Sequence, residues 1–171
     1  MHKITKLGLA LAAILLPLPA WGAYTLTPTE QRILADWLAT HPQFRTASDA
    51  DCDCADNIHR MRTVSEGVWK AVRDYHPYSV SGDLNGDGAL DFAVVLVECS
   101  GSISHSTLLV FNGPFGKEDL KPVFVKSGLD MRGEGIFYGP PRPKPYRLVL
   151  GGFYTDNTDL LIPMGNTYRL E

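Results

Sequence analysis

The apolar residues of this chain change their spacing at about Tyr78, and this change limits the folds that are available to it. After that point the sequence consists of short β-rich runs separated by Gly, Pro and Asn, whereas the helical patterns come before it. Parallel sheets need strands that alternate with crossover helices, and no such alternation occurs. The order predicts an α+β fold in which N-terminal helices pack on a mainly antiparallel β-sheet in a single domain. The predicted strands are 90–98, 105–111, 121–126, 134–138, 146–151 and 160–169.

Two helices are predicted ahead of the strands. The first follows Thr27, because Thr27–Glu30 has the form of a capping box with proline at the first helical position. It is expected to end at about His41, before Pro42, since proline cannot continue a helix. A second, shorter helix is predicted over 54–62. The first helix has one apolar stripe, formed by Ile33, Leu34, Trp37 and Leu38.

Residues 92–97 are apolar almost without interruption, which is typical of a strand that is buried on both faces. The next β-type run, 107–111, follows after a polar segment around 100–104. A hairpin is the simplest connection between the two. We therefore predict that 92–97 is a central strand and that it pairs with 107–111.

The first 22 residues have the layout of a signal peptide. A basic start is followed by an apolar run over 7–18 and by small residues at Ala20 and Gly22, which favours cleavage after Gly22, with Ala20 and Ala23 as alternatives. The apolar run is shorter than the about 20 residues that a membrane span needs. We predict a signal peptide over 1–22 and an exported domain over 23–171, periplasmic or secreted, with no membrane attachment after cleavage.

Composition excludes one large class of partners. The chain has 16 Lys and Arg against 19 Asp and Glu, a formal net charge of -3. Nucleic-acid-binding proteins usually carry a basic surplus that attracts phosphates. We therefore expect no nucleic-acid partner.

The most informative segment is an acidic, glycine-rich loop over 83–91. Its side-chain oxygens occupy positions 1, 3, 5 and 9, while Gly86 and Gly88 allow the backbone to curl and Leu90 is expected to point inward as an apolar anchor. Alternating oxygen ligands on a curled backbone can converge on a hard cation such as Ca²⁺. Three carboxylates in so short a segment also repel one another, and the flanking strand has no Lys or Arg to compensate them. The candidate ligands are Asp83, Asn85, Asp87, the backbone carbonyl of Ala89, and Asp91.

This loop is not an EF-hand, because position 12 is Val94 instead of Glu and a strand is predicted to follow. It resembles the D-x-[DN]-x-D-G-x-x-D loop of the FG-GAP and VCBS-type calcium-binding repeats, over about residues 80–97. The resemblance implies Ca²⁺ at the ligands named above. Those families stack several repeats into a propeller, and one copy excludes that architecture here, so their adhesion roles do not carry over. The chain is also similar to small exported bacterial proteins that contain a single loop of this kind. The alternative is an Asx/Gly turn without metal.

Three cysteines follow the predicted signal peptide: Cys52, Cys54 and Cys99. An exported protein is expected to form a disulfide, and a bridge between Cys52 and Cys54 would close a very small ring. We therefore expect Cys99 to pair with Cys52 or with Cys54, and the sequence does not decide between the two. The alternatives are a soft-metal site that uses Cys52, Cys54 and His59, or a redox thiol pair.

No familiar catalytic motif occurs in the sequence. It contains no G-x-S-x-G elbow, no H-E-x-x-H and no phosphate-binding glycine loop. Asp74, Tyr75, His76 and Tyr78 either line a cleft or form a structured lead-in to the loop. These features favour an exported calcium-binding module that binds an unknown protein partner and is not an enzyme. The alternatives are a small envelope hydrolase that uses the ion or the His76 region, and a soft-metal-binding protein.

Overall fold

The computed structural model describes residues 23–67, 70–116, 121–139, 148–153 and 158–171. It confirms the α+β class: two N-terminal helices accompany antiparallel β-sheets. The predicted signal peptide, 1–22, lies outside the described residues. Within the described ranges, no helix is long and apolar enough to cross a membrane.

Helix α1 spans Pro28–Thr40 and α2 spans Ala55–Thr63, close to the predicted ranges. The capping box is formed: the backbone N–H of Glu30 donates to Oγ1 of Thr27 over 3.3 Å, and the N–H of Thr27 donates to Oε2 of Glu30 over 2.7 Å. The other oxygen of Glu30 accepts from the Ser81 hydroxyl over 2.7 Å. This buried carboxylate therefore starts α1 and also ties it to a strand. Two short 3₁₀ helices lie at Asp49–Asp51 and Ile103–His105.

Among the described residues, the first sheet contains five strands, and its centre is the predicted hairpin. The strands are β1 (Phe44–Thr46), β2 (Ser79–Gly82), β3 (Asp91–Glu98), β4 (Ser106–Phe111) and β5 (Phe124–Leu129). Strand β3 pairs with β4 with Val94 opposite Leu109, and β5 lies outside β4. On its other side β3 pairs with two short strands in turn, β1 near its end and β2 near its start.

The described part of the chain also forms a second sheet, of four strands, where one sheet was expected. Its strands pair in chain order as an antiparallel meander. The predicted strand 160–169 is wrong as one element: it is a hairpin that turns between Met164 and Thr167, where Gly165 has a φ of 67°. Glycine enters this left-handed region at little cost, so the chain can reverse there. The strands are β6 (Glu134–Tyr138), β7 (Leu148–Gly152), β8 (Thr158–Met164) and β9 (Thr167–Leu170).

Both faces of β3 are covered, which explains its continuous apolar sequence. On one face, Phe92, Val94 and Leu96 pack in a cluster with Ile33 and Leu34 of α1. The alternate residues of β3 face a larger core that includes residues of the second sheet and Ile58 of α2. Burying both sets excludes water from β3 up to Val97 and contributes about 1.5–3 kcal/mol for each large aliphatic side chain.

The cysteine pairing differs from the expectation. The structure joins Cys52 to Cys54, and Cys99 is a free, exposed thiol, so the expected bridge to Cys99 is wrong. The Cα atoms of Cys52 and Cys54 lie 5.1 Å apart, within the usual range for disulfides, and both side chains are buried in the larger core. Cys99 lies just beyond β3, where its backbone N–H donates to the carbonyl of Gln43.

An ion pair between Arg45 and Asp51 gives a pH-dependent contribution to stability. Two guanidinium nitrogens donate to the two carboxylate oxygens over 2.8 and 2.5 Å, and this pairing lowers the pKa of Asp51 below its usual value. A lowered folded-state pKa stabilises the protein above the unfolded value of about 3.9, and the contribution is lost as the pH falls below it.

We expect Asp51→Asn to lower the free energy of unfolding by about 1 kcal/mol at pH 7, because solvent screens the exposed Arg45. Urea titrations of both proteins from pH 2 to pH 7 measure this difference. It should shrink as the pH falls below about 4. A difference that stays constant over this range would contradict the assignment.

Candidate metal-binding loop

The acidic loop closes the hairpin between β2 and β3. Gly82 pairs with Asp91 across the two strands, and β3 begins at Asp91, so the predicted strand after the loop is confirmed. The loop therefore lies at one end of the first sheet, fixed on both sides by antiparallel pairing.

Backbone N–H groups bind the side-chain oxygens of the loop and hold the curl. Gly86 and Gly88 have φ angles of 84° and 90°, which glycine adopts easily. Their N–H groups donate to the two oxygens of Asp83 over 2.6 and 3.2 Å. The N–H of Asp87 donates to Oδ1 of Asn85 over 2.8 Å, and that of Ala89 donates to Oδ1 of Asp87 over 2.7 Å. These are Asx-type bonds, which stabilise a turn with or without an ion.

Asp91 differs from the other acidic residues because its side chain is fully buried. One oxygen accepts from the N–H groups of Leu84 and Asn85 over 2.9 and 3.2 Å, and the other accepts from the N–H of Gly113 over 2.9 Å. Burial raises the pKa of Asp91 to about 6, and these three bonds only partly oppose that rise. The loop thus contains a buried carboxylate whose described donors are all uncharged backbone groups.

The apolar anchor of the loop is Leu84, not Leu90. Leu84 is fully buried in the larger core, whereas Leu90 is only half-buried. The backbone N–H of Leu84 is bound to Asp91, which holds this residue beside the start of β3. The expectation for Leu90 was therefore wrong, because contact with Asp91 turns the first half of the loop toward the core.

The chemistry of the loop fits a hard cation, but its carboxylates are not gathered around one point. Among the described residues, no group of three or more His, Cys, Asp or Glu side chains is placed to hold a metal ion. Asp83 and Asn85 are half-buried, Asp87 is exposed, and each carboxylate oxygen that accepts one N–H keeps a further lone pair. Ala89, the carbonyl candidate, is half-buried beside them.

Two tyrosines from the second sheet lie beside the loop, where the sequence did not place them. The hydroxyl of Tyr138 donates to the carbonyl of Asp83 over 3.3 Å, and that of Tyr168 donates to Oδ1 of Asn112 over 2.7 Å. Burial raises the pKa of Tyr168, and the charges of Asp91 and Asp87 raise it further. No local motif could have shown these contacts, because the Tyr138 contact links residues 55 positions apart.

Residues 74–78 were expected either to line a cleft or to lead into the loop. Some of them are buried in the core, and others are exposed. Tyr75 and Tyr78 are buried, and Asp74 accepts from the backbone N–H of Tyr24 over 3.3 Å. His76 is partly exposed and its Nδ1 lies 3.1 Å from Oδ1 of Asp49. The soft-metal set is not assembled, because the sulfur atoms of Cys52 and Cys54 are bonded to each other.

Comparison of the chain with protein-family models, curated proteins and solved structures finds no match in any of the three.

Proposed function

We propose that this protein is an exported calcium-binding module whose loop holds one structural Ca²⁺. The ligands would be Asp83, Asn85, Asp87, the carbonyl of Ala89, and Asp91. The observation that carries the proposal is the buried carboxylate of Asp91, which lies near the charge of Asp87 and whose described hydrogen-bond donors are backbone groups only. A cation would neutralise this repulsion and would favour the charged form of Asp91.

Ca²⁺ suits this loop better than Mg²⁺. Ca²⁺ accepts six to eight oxygens in flexible geometry, whereas Mg²⁺ demands a tight octahedron and keeps several waters. Asp83 and Asp87 are accessible enough to turn toward an ion without disturbing the core. Extracellular calcium modules often bind at about 10⁻⁴ to 10⁻³ M, and we expect an affinity in that range.

The calcium proposal is tested by thermal unfolding of residues 23–171, first in EDTA and then with added Ca²⁺. At a tenfold excess over the dissociation constant, the ion should stabilise the wild type by about 1.4 kcal/mol, a rise of a few degrees in the midpoint. Asp87→Ala should abolish that rise because it removes a ligand. Asp36→Ala, which removes an exposed carboxylate on α1, should keep it.

Two outcomes would contradict the calcium proposal. One is a wild-type midpoint that Ca²⁺ does not change, which would leave the loop as a metal-free turn. The other is an equal rise in wild type and in Asp87→Ala, which would locate the ion elsewhere. An equal response to Mg²⁺ would contradict the choice of ion.

We further propose that the module acts by binding a protein partner in the cell envelope. The proposal is supported by the predicted export, by the two sheets that share one hydrophobic core, and by the absence of a catalytic motif from the sequence. The test is a pull-down from envelope extract with calcium-loaded protein as bait and Asp87→Ala as the matched control. A partner retained only by the calcium-loaded wild type would support it, and identical proteins on both baits would count against it.

A further inference from the structure

A crevice opens where two segments that share one edge of β3 separate. The N–H of Ala47, after β1, donates to the carbonyl of Val95 over 3.0 Å, and the N–H of Val95 donates to the carbonyl of Tyr78, before β2, over 2.9 Å. From this point the two segments run in opposite directions along β3. A cavity of about 560 Å³ lies between these two segments, α1 and the segment around Tyr24. This volume is within the range of small-molecule sites.

The walls of the crevice are largely apolar, and several of their polar groups have partners within the protein. Leu34 and Ala47 contribute aliphatic surface. The hydroxyl of Ser79 donates to the carbonyl of Tyr24 over 2.7 Å, that of Tyr78 donates to the carbonyl of Met131 over 3.4 Å, and the hydroxyl of Tyr24 accepts from the N–H of Tyr138 over 3.0 Å. A ligand here must therefore have an apolar body.

One nitrogen of His76 is available to a ligand. Nδ1 lies 3.1 Å from Oδ1 of Asp49 and 3.2 Å from a terminal nitrogen of Arg62. That nitrogen of Arg62 has two hydrogens, and its short contacts to Asp49 (2.5 Å) and to the carbonyl of Tyr75 (2.6 Å) use both. Nδ1 is therefore placed to donate its own hydrogen to Asp49, and in that tautomer Nε2 carries a free lone pair. Within the part of the chain that the structure describes, Nε2 has no partner.

The carboxylates near the crevice differ in whether a cation compensates them. Asp49 is paired with Arg62, and Asp51 is paired with Arg45. Burial raises the pKa of Tyr24 to about 12, and the charge of Asp74 adds to the rise. The charge of Asp74 beside Tyr24 favours a cationic ligand over an anionic one.

We propose that this crevice binds a small primary amine with an apolar body. The ammonium group would donate a hydrogen bond to Nε2 of His76 near Asp49, and the apolar body would lie against Tyr24, Leu34 and Ala47. The site is separate from the calcium loop, because His76 precedes β2 and the loop follows it. The inference goes beyond the proposed function and does not depend on it.

Three probes with the same ring and different charge test this proposal: benzylammonium, benzyl alcohol and benzoate. Binding is followed at pH 8 by chemical-shift changes in the ¹H–¹⁵N NMR spectrum of wild type, His76→Phe and the matched control His59→Phe, which changes an exposed histidine on α2. Benzylammonium should bind about tenfold more tightly than benzyl alcohol, and benzoate should bind least. His76→Phe should weaken benzylammonium binding about tenfold, and His59→Phe should not change it.

The proposal would be overturned by benzoate binding as tightly as benzylammonium, by shifts that do not include the crevice, or by an affinity that His76→Phe leaves unchanged. A wild type that binds none of the probes would overturn it as well. Thermal midpoints of both variants check that the fold is retained. Asp87→Ala should bind benzylammonium like the wild type, so failure of the calcium proposal and failure of this one are distinguishable.

Discussion

Asp91→Ala is expected to lower the free energy of unfolding by about 4 kcal/mol when measured in EDTA. The side chain is fully buried and accepts from the N–H groups of Leu84, Asn85 and Gly113. Alanine would leave these three donors without an acceptor at the point where the loop and the chain after β4 meet. Each unsatisfied buried donor costs about 1–3 kcal/mol, and removing a buried charge offsets part of the loss. Urea denaturation monitored by circular dichroism gives this difference.

The matched control for Asp91→Ala is Asp87→Ala in the same loop. Asp87 is exposed and accepts from Ala89 and from the side chain of Asn85, so water can replace its hydrogen bonds. Without calcium we expect Asp87→Ala to cost about 1 kcal/mol or less. An equal loss in the two variants would contradict the special role of Asp91. The pair separates the folding role of the loop from its proposed ion binding.

Gly135→Ala is expected to lower the free energy of unfolding by about 3 kcal/mol, because β6 passes directly over the buried ring of Tyr75. A Cβ atom at this position would lie 2.3 Å from the hydroxyl oxygen of Tyr75 and 3.3 Å from Cζ of Phe153. Tyr75 cannot move aside easily, since its ring packs against Tyr24, Phe137 and Phe153 at centroid distances of 4.7 to 5.9 Å. Thermal or urea unfolding measures the loss.

A second substitution tests the cause of the Gly135→Ala loss. Tyr75→Phe removes the clashing oxygen, so the double variant should recover much of the loss, a coupling that a double-mutant cycle measures. Tyr75→Phe alone should be neutral or stabilising, because this buried hydroxyl has no hydrogen-bond partner among the described residues. Gly139→Ala, where a Cβ would have no neighbour within 4 Å, is the matched glycine control. If the free-energy changes of Gly135→Ala and Tyr75→Phe simply add in the double variant, the contact with the Tyr75 hydroxyl is not the cause of the loss.

The features that the sequence predicted correctly depend on interactions between residues close together in the chain. The α1 capping box links Thr27 and Glu30, and the β3–β4 hairpin joins two consecutive apolar runs. The helix over 55–63 and the strand after the acidic loop also agree with prediction. Local hydrogen bonds and side-chain periodicity determine such elements, so the sequence shows them directly.

The features that the sequence did not predict depend on long-range contacts. Strands β1 and β2 contain three and four residues and form because β3 offers each of them an edge. The 160–169 run became a hairpin because its two halves pair with each other around Gly165. The cysteine prediction failed because burial places Cys52 and Cys54 in the core while Cys99 stays at the exposed end of β3.

The same distinction applies to the candidate sites. The sequence alone determined the oxygen-rich chemistry of the loop, the spacing of Asp83, Asn85, Asp87 and Asp91, and the glycines that allow the curl. Only the tertiary structure decided that Asp91 is buried and bound to Gly113, and that His76 meets Asp49 from 27 residues away. Side-chain chemistry belongs to the residue and can be read locally. Burial and long-range pairing arise only when the sheets and helices pack, because each depends on which distant segments exclude water from the same place.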